Sequence, residues 1–267
     1  MITLITHAIM ALSSTPLPHP VPPILEGGQQ TALGGIPIER SDKLAQSVVS
    51  LKIIKEIEGR LYRARCSGAI ISKHAVLTAA HCVSGNIKEI KVLIYRRSIP
   101  SYSFEADSWE IHPDYENPDL KIDLGMIFLN DPIKGFAKAL PLTSDLPIEK
   151  ETELTLVGSG RTSDHKRRGA NKSLEMNRQR GWVFKHGLNG LNRSVVFHPP
   201  KKFMCQGDSG GPALIKKGKR WILWGVIQGG LSMDETKCEN TLTIVSHLGS
   251  DLNWVKDTLA NFLSQRQ

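Results

Sequence analysis

The stretch Cys205–Ala213 reads C-Q-G-D-S-G-G-P-A. Ser209 stands between Asp208 and a Gly-Gly-Pro turn, with Gly207 two residues before it. A hydroxyl becomes a nucleophile when a base takes its proton and donors hold the oxyanion that forms. Glycines on both sides of the serine permit a tight turn and close approach by a substrate. The backbone N–H groups of Gly207 and Ser209 can then point into one pocket. The same letters also suit a polar turn between two strands, so the rest of the chain decides between the readings.

Upstream, L-T-A-A-H-C-V (Leu77–Val83) sets His81 just after an apolar strand and beside Cys82. A general base must be held within hydrogen-bond reach of its nucleophile. Asp123 opens D-L-G-M-I-F-L (Asp123–Leu129). A carboxylate there can be buried against one imidazole nitrogen and leave the other facing Ser209, which fixes the tautomer and stabilises the imidazolium. Most other histidines read as surface or core residues. G-D-S-G-G also fits the Gly-x-Ser-x-Gly elbow of α/β-hydrolases, and Asp234 and His247 follow Ser209 in the order those enzymes use. Such an acyl ester hydrolase needs strand–helix alternation, which this chain lacks.

Short strands surround the motifs. Val48–Ile54, Ala75–Thr78, Ile90–Tyr95, Leu124–Leu129, Leu154–Val157, Val195–Phe197, Trp221–Ile227 and Leu242–Val245 are β-branched or apolar, with Gly, Pro, Asn and Asp between them. That spacing predicts an all-β barrel or sandwich. The exception is Asp251–Leu263, where Leu252, Val255, Leu259 and Phe262 recur at helical spacing behind Ser250 or Asp251 as N-cap. One amphipathic helix is expected to pack on the β body. Residues 1–14 resemble the apolar region of a signal peptide without its positive n-region. Residues 15–31, rich in Pro and Gly, read as a linker or pro-segment. No apolar run approaches the roughly 18–20 residues of a membrane span.

The net charge is +8 and the pI about 9.3. Arg96-Arg97, Lys166–Arg168, Lys201-Lys202 and Lys216–Arg220 each fall beside a turn signal. Without a basic helix or an aromatic-interleaved patch, this charge reads as tuning solubility and weak surface attraction, not as a nucleic-acid site. None of the four cysteines falls in a C-x-x-C pair, a poor fit to zinc. An even count behind an apolar start fits two disulfides in an oxidising compartment, with three connectivities open.

T-A-A-H-C (Thr78–Cys82), D-L-G-M-I (Asp123–Ile127) and C-Q-G-D-S-G-G-P (Cys205–Pro212), in that order, resemble the trypsin/chymotrypsin superfamily of serine endopeptidases, from about Ala32 to the C-terminal helix. The resemblance implies a chymotrypsin-like, all-β fold of two six-stranded antiparallel barrels, about 32–140 and 141–250, crossing near Leu140-Pro141, with the active site in the cleft and a helix over 251–263. It implies His81 as base, Asp123 as its orienter, Ser209 as nucleophile, and Gly207 and Ser209 as oxyanion donors. It implies Cys66–Cys82 and Cys205–Cys238 disulfides and no metal or organic cofactor. A secreted or periplasmic monomer is expected, made with a pro-segment. Its partners are a protein or peptide substrate, an activating protease or a protein inhibitor, with no nucleic acid and no membrane span.

Some positions depart from the family pattern. Phe203 stands where trypsin-like members carry the acidic residue that binds Lys or Arg, so apolar or small side chains are expected before the scissile bond. Gln228-Gly229-Gly230 replaces the usual Ser-Trp-Gly; Gln228 and Gly230 can still pair a substrate backbone as an added strand. In the family a new amino terminus pairs with the Asp beside the nucleophile, here Asp208. Ala32-Leu33-Gly34-Gly35 fits that role better than Leu25-Glu26-Gly27-Gly28, although Thr31 precedes it in place of Arg or Lys. A non-catalytic relative that binds a partner through the same fold is the main alternative.

Overall fold

Strand β2 (Val48–Ile57) shows why the chain curls into barrels. Val48, Val49, Leu51 and Ile53 are fully buried, whereas Lys52 between them faces solvent. Burying one face of each strand favours a sheet that closes on itself and leaves no free edge. The computed structural model describes residues 35–38, 42–96, 99–117, 119–134, 137–143, 150–160, 177–186, 193–199, 203–231 and 242–266. Residues 1–31, Ala32, Asp234 and Cys238 lie outside them.

The first sheet also contains β3 (Arg60–Ser72), β4 (Ala75–Thr78), β5 (Ile87–Arg96), β6 (Ile99–Glu105), β7 (Ser108–Ile111) and β8 (Gly125–Phe128), in the order β6-β5-β2-β3-β4-β8-β7. Only Ala106 and Asp107 separate β6 from β7. Their N–H groups donate to Ile90 O and Phe128 O, both at 2.9 Å. β6 and β7 therefore act as one bent strand that closes the ring between β5 and β8. The second sheet contains β1 (Ile36–Pro37), β9 (Glu153–Gly158), β10 (Asn177–His186), β11 (Arg193–Phe197), β12 (Pro212–Lys217), β13 (Arg220–Leu231) and β14 (Leu242–His247). Strand β9 pairs with both β10 and β12, which closes a six-stranded ring, and β1 adds to the side of β10. All these pairings are antiparallel.

The barrels are fused rather than tethered. The apolar core of the first continues through Val157, Leu214, Leu223 and Val226 of the second. Leu140 N–H donates to Ile70 O at 2.8 Å, and the next residue, Pro141, accepts from Leu223 N–H at 3.2 Å. The C-terminal helix spans Leu252–Ser264, one residue later at each end than its periodicity suggested. It lies on the first barrel, where Phe262 stacks on Phe128 with ring centroids 4.3 Å apart and Trp254 meets His112 edge-on at 4.8 Å. Asp251 stands at the N-cap, but its side chain makes no capping bond; its carboxylate lies 3.7 Å from His112 Nε2 instead.

Candidate active site

Apolar residues of β4 run into a single helical turn, α1 (Ala80–Val83), which carries His81 to the junction of the barrels. Four residues cannot hold a helix by themselves, because nucleation is costly. The turn is held from outside. Cys82 is disulfide-bonded to Cys66 in β3. From β2, Lys55 Nζ donates to His81 O at 2.9 Å and Ser84 O at 3.1 Å, capping the carbonyl end of the turn. Burial pushes the Lys55 ammonium below its ordinary value.

Asp123 lies just before β8 and is 2% exposed. Its Oδ1 accepts the backbone N–H of His81 at 2.8 Å, and its Oδ2 faces His81 Nδ1 at 2.8 Å. One carboxylate thus fixes both the backbone and the ring of the histidine and sets Nδ1 as the protonated nitrogen. The Ser209 hydroxyl donates to Gln228 O at 3.3 Å, and among the described residues it makes no bond to His81. Gln228 sits where β13 slips register against β14, between Ile227 and Gly229. That bulge turns its carbonyl toward the serine.

The turn around Ser209 is built for glycine. Gly207 has φ +99° and Gly210 has φ +82°, in the left-handed region that glycine enters without cost. A Cβ on Gly210 would lie 2.1 Å from Thr78 Oγ1 and 2.3 Å from Ser67 O. Among the described residues, neither Gly207 N–H nor Ser209 N–H has an acceptor within the protein. Two uncommitted donors flanking a nucleophile are what an oxyanion needs.

Asp208 is buried. Its Oδ1 accepts Gly160 N–H at 2.8 Å and its Oδ2 accepts Cys205 N–H at 2.7 Å. Burial pushes its carboxyl up to about 6, against the pull of those two N–H groups. Cys205 is itself disulfide-bonded. Phe203 is half-buried beside buried Met204, and Gly230 is exposed on β13.

An open depression of about 680 Å³ is lined by His81, Asp123, Gln228, Tyr115, Glu116 and Lys121. The structure thus joins His81, Asp123 and Gln228 in one hollow, whereas Gly207, Ser209, Phe203 and Gly230 are not among the residues that line it. Tyr115, Glu116 and Lys121 were not singled out from sequence. Their signal is their place in the loop leading to Asp123, and Lys121 holds the left-handed φ of +46° in that loop. Cys66, His81 and Cys82 bring metal-ligating atoms within 4.8 Å of one another, but both sulfurs are locked in one disulfide and offer no thiolate. His247, which an α/β-hydrolase order would enlist, is buried in β14 with its ring 4.4 Å from that of Trp224.

Two fused antiparallel barrels carrying a glycine-framed serine and an imidazole–carboxylate pair at their junction define a chymotrypsin-like serine hydrolase. The Trypsin family model matches residues 39–254, and the chain belongs to that family as a serine-type endopeptidase. It is 26% identical over 213 residues to a chymotrypsin of Phaedon cochleariae, covering 72% of this chain and 71% of that protein. It is 27% identical over 208 residues to hypodermin-A of Hypoderma lineatum, covering 72% and 77%. To granzyme M of Rattus norvegicus it is 26% identical over 225 residues, covering 75% and 81%.

Proposed function

We propose that the chain is a secreted endopeptidase that cleaves protein or peptide substrates through Ser209, His81 and Asp123. His81 Nε2 takes the hydroxyl proton as Ser209 Oγ bonds to the scissile carbonyl carbon. The oxyanion is held by the N–H groups of Gly207 and Ser209, the proton passes to the departing amine as the C–N bond breaks, and water hydrolyses the acyl-enzyme. The observation that carries this reading is the paired grip of Asp123 on His81, which leaves Nε2, 3.6 Å from the disulfide sulfur of Cys82, as the unprotonated nitrogen. The processed chain is proposed to begin at Ala32, with its ammonium pairing with Asp208.

Intact mass after exposure to a fluorophosphonate probe tests the nucleophile. One adduct is expected on a chain beginning near Ala32, and none on Ser209→Ala. A correctly trimmed chain without an adduct overturns the proposal. A second reading, a binding protein on the same fold, draws on the bond of Ser209 to Gln228 O in place of His81; it predicts that same missing adduct.

Substrate preference follows from Phe203. A buried Lys or Arg head group needs a partner charge, and an aromatic ring supplies none. A peptide library is therefore expected to be cut mainly after apolar or small residues, and a majority of cuts after Lys or Arg would sink this assignment.

A further inference from the structure

Ser67 comes from β3 of the first barrel and is fully buried. Its backbone N–H donates to Ser209 O at 2.8 Å, and its hydroxyl donates to Gly207 O at 2.8 Å. One residue of the opposite barrel thus holds the carbonyl oxygens of both residues whose N–H groups are the proposed oxyanion donors. A serine hydroxyl has one proton and two acceptor sites. With the proton on Gly207 O, Ser67 Oγ accepts from Ser159 N–H at 2.9 Å and from the Ser159 hydroxyl at 3.1 Å. The hydroxyl is thereby saturated and has one orientation. Ser67 O in turn accepts from the Thr78 hydroxyl at 2.9 Å, which ties the residue to β4.

We infer that Ser67 is a positioning residue that sets the oxyanion-binding geometry through its side chain; this rests on the serine endopeptidase reading above. Gly207 is the only one of the two donor residues without a side chain to restrict its backbone. At φ +99° its neighbouring peptide planes can turn at small steric cost. The Ser67 hydroxyl holds the Gly207–Asp208 plane from its oxygen side, where Asp208 N–H, donating to Cys205 O at 3.0 Å, holds it from the other. With that plane held, the concerted turn of both peptide planes that would re-aim Gly207 N–H is blocked, which leaves only rotation about the φ of Gly207 itself. Donors act on a developing oxyanion in proportion to how well they are preorganised. Losing the hydroxyl should therefore weaken transition-state binding while leaving substrate binding intact.

The test uses the processed chain and Ser67→Ala, which keeps the backbone bond to Ser209 O and removes only the hydroxyl. For a peptide substrate, kcat is expected to fall at least about tenfold with KM within about twofold, following the loss of one oriented donor. Inhibition by a peptide aldehyde, whose hemiacetal oxygen occupies the oxyanion site, should weaken by the same factor, whereas a non-reactive peptide of the same sequence binds unchanged. Ser159→Ala, which leaves the bond from Ser67 to Gly207 O in place, is expected to lose less. If Ser67→Ala does not reach a cooperative melt, Ser67→Cys, a weak donor of similar size, is read in its place. Unchanged kcat, or a rise in KM alone, overturns the assignment of Ser67. Absence of fluorophosphonate labelling in the unsubstituted processed chain overturns the endopeptidase reading itself, so the two failures are distinct.

Discussion

Replacing Asp123 with Asn is expected to cut kcat by about 10⁴, some 5 kcal/mol of transition-state stabilisation, with little change in fold; that magnitude is the one known for the same change in a trypsin-family triad. Here the geometry gives the reason. Asp123 Oδ1 accepts the backbone N–H of His81, and only an oxygen can do so. The new amide must keep its oxygen there and turn its NH₂ toward His81 Nδ1, which now faces Oδ2 at 2.8 Å. A donor opposite Nδ1 forces that nitrogen to accept, and the proton moves to Nε2. The nitrogen that should take the Ser209 proton then already carries one. Steady-state kinetics with a peptide substrate, paired with a thermal melt, checks this; a loss below tenfold at an unchanged melting temperature would refute the role given to Asp123.

The sequence disclosed those parts of the fold whose burial is one-sided. Strands β2, β4, β5 and β8 read clearly because their apolar residues line the first barrel. Strand β3 did not. Its first half, Arg60–Arg65, forms with β2 a hairpin on which Leu61 is 67% exposed, so no burial imposes an alternation there. Strand β10 was hidden for another reason. A Cβ on Gly181 would meet Val196 Cγ1 at 2.5 Å, so close packing requires a glycine where a strand pattern expects a side chain. At the helix start, Asp251 carries the letter of an N-cap but is drawn to His112, a contact across some 140 residues that no local pattern encodes.

The same limit separates the two halves of the site. His81, Asp123 and Ser209 stand in motifs whose neighbours mark them. Ser67 and Ser159 are single hydroxyls in or beside strands, and their bonds reach 92 and 140 residues along the chain. Their meaning exists only once β3 of one barrel is laid against the Gly207–Ser209 turn of the other. Glycines tell a similar story: Gly158 and Gly160 look like ordinary turn residues, yet a Cβ on either would strike the Asp208 carboxylate at 2.1 or 2.7 Å.

That crowding makes Asp208 the source of the second large effect, expected to be opposite in sign before and after the cut proposed at Ala32. In the uncut chain, among the described residues, no cation pairs with Asp208, and burial raises its carboxyl from 3.8 to about 6. A raised acid weakens the fold where it is ionised. Below about pH 4 both folded and unfolded chains are protonated and nothing is lost. Between about pH 4 and 6 the unfolded chain ionises first, and above pH 6 the full penalty, about 3 kcal/mol, is present. Asp208→Asn in the uncut chain removes that penalty but turns its NH₂ toward one of the two N–H groups the carboxylate accepts, so it is expected to melt below the parent near pH 4 and to gain on it by several degrees between pH 4 and 7. Cutting before Ala32 reverses this. Gly35 leads into β1, β1 pairs with β10, and β10 pairs with β9, whose end at Gly158 abuts Asp208. Only Leu33 and Gly34 lie between Gly35 and the new terminus at Ala32, a tether of about 10 Å over three residue steps. A buried carboxylate that gains an ammonium becomes a pair whose rupture costs about 3–5 kcal/mol, and the loop it holds carries Gly207 and Ser209. In the cut chain, Asp208→Asn should thus lower kcat/KM by about 10²–10³. Unsubstituted activity should fall as pH rises past the ammonium's own titration, above about pH 8. Melting curves from pH 4 to 8 on the uncut pair, and kcat/KM against pH on the cut pair, test both signs. An Asn variant as active as the parent after cutting would remove Asp208 from activation altogether.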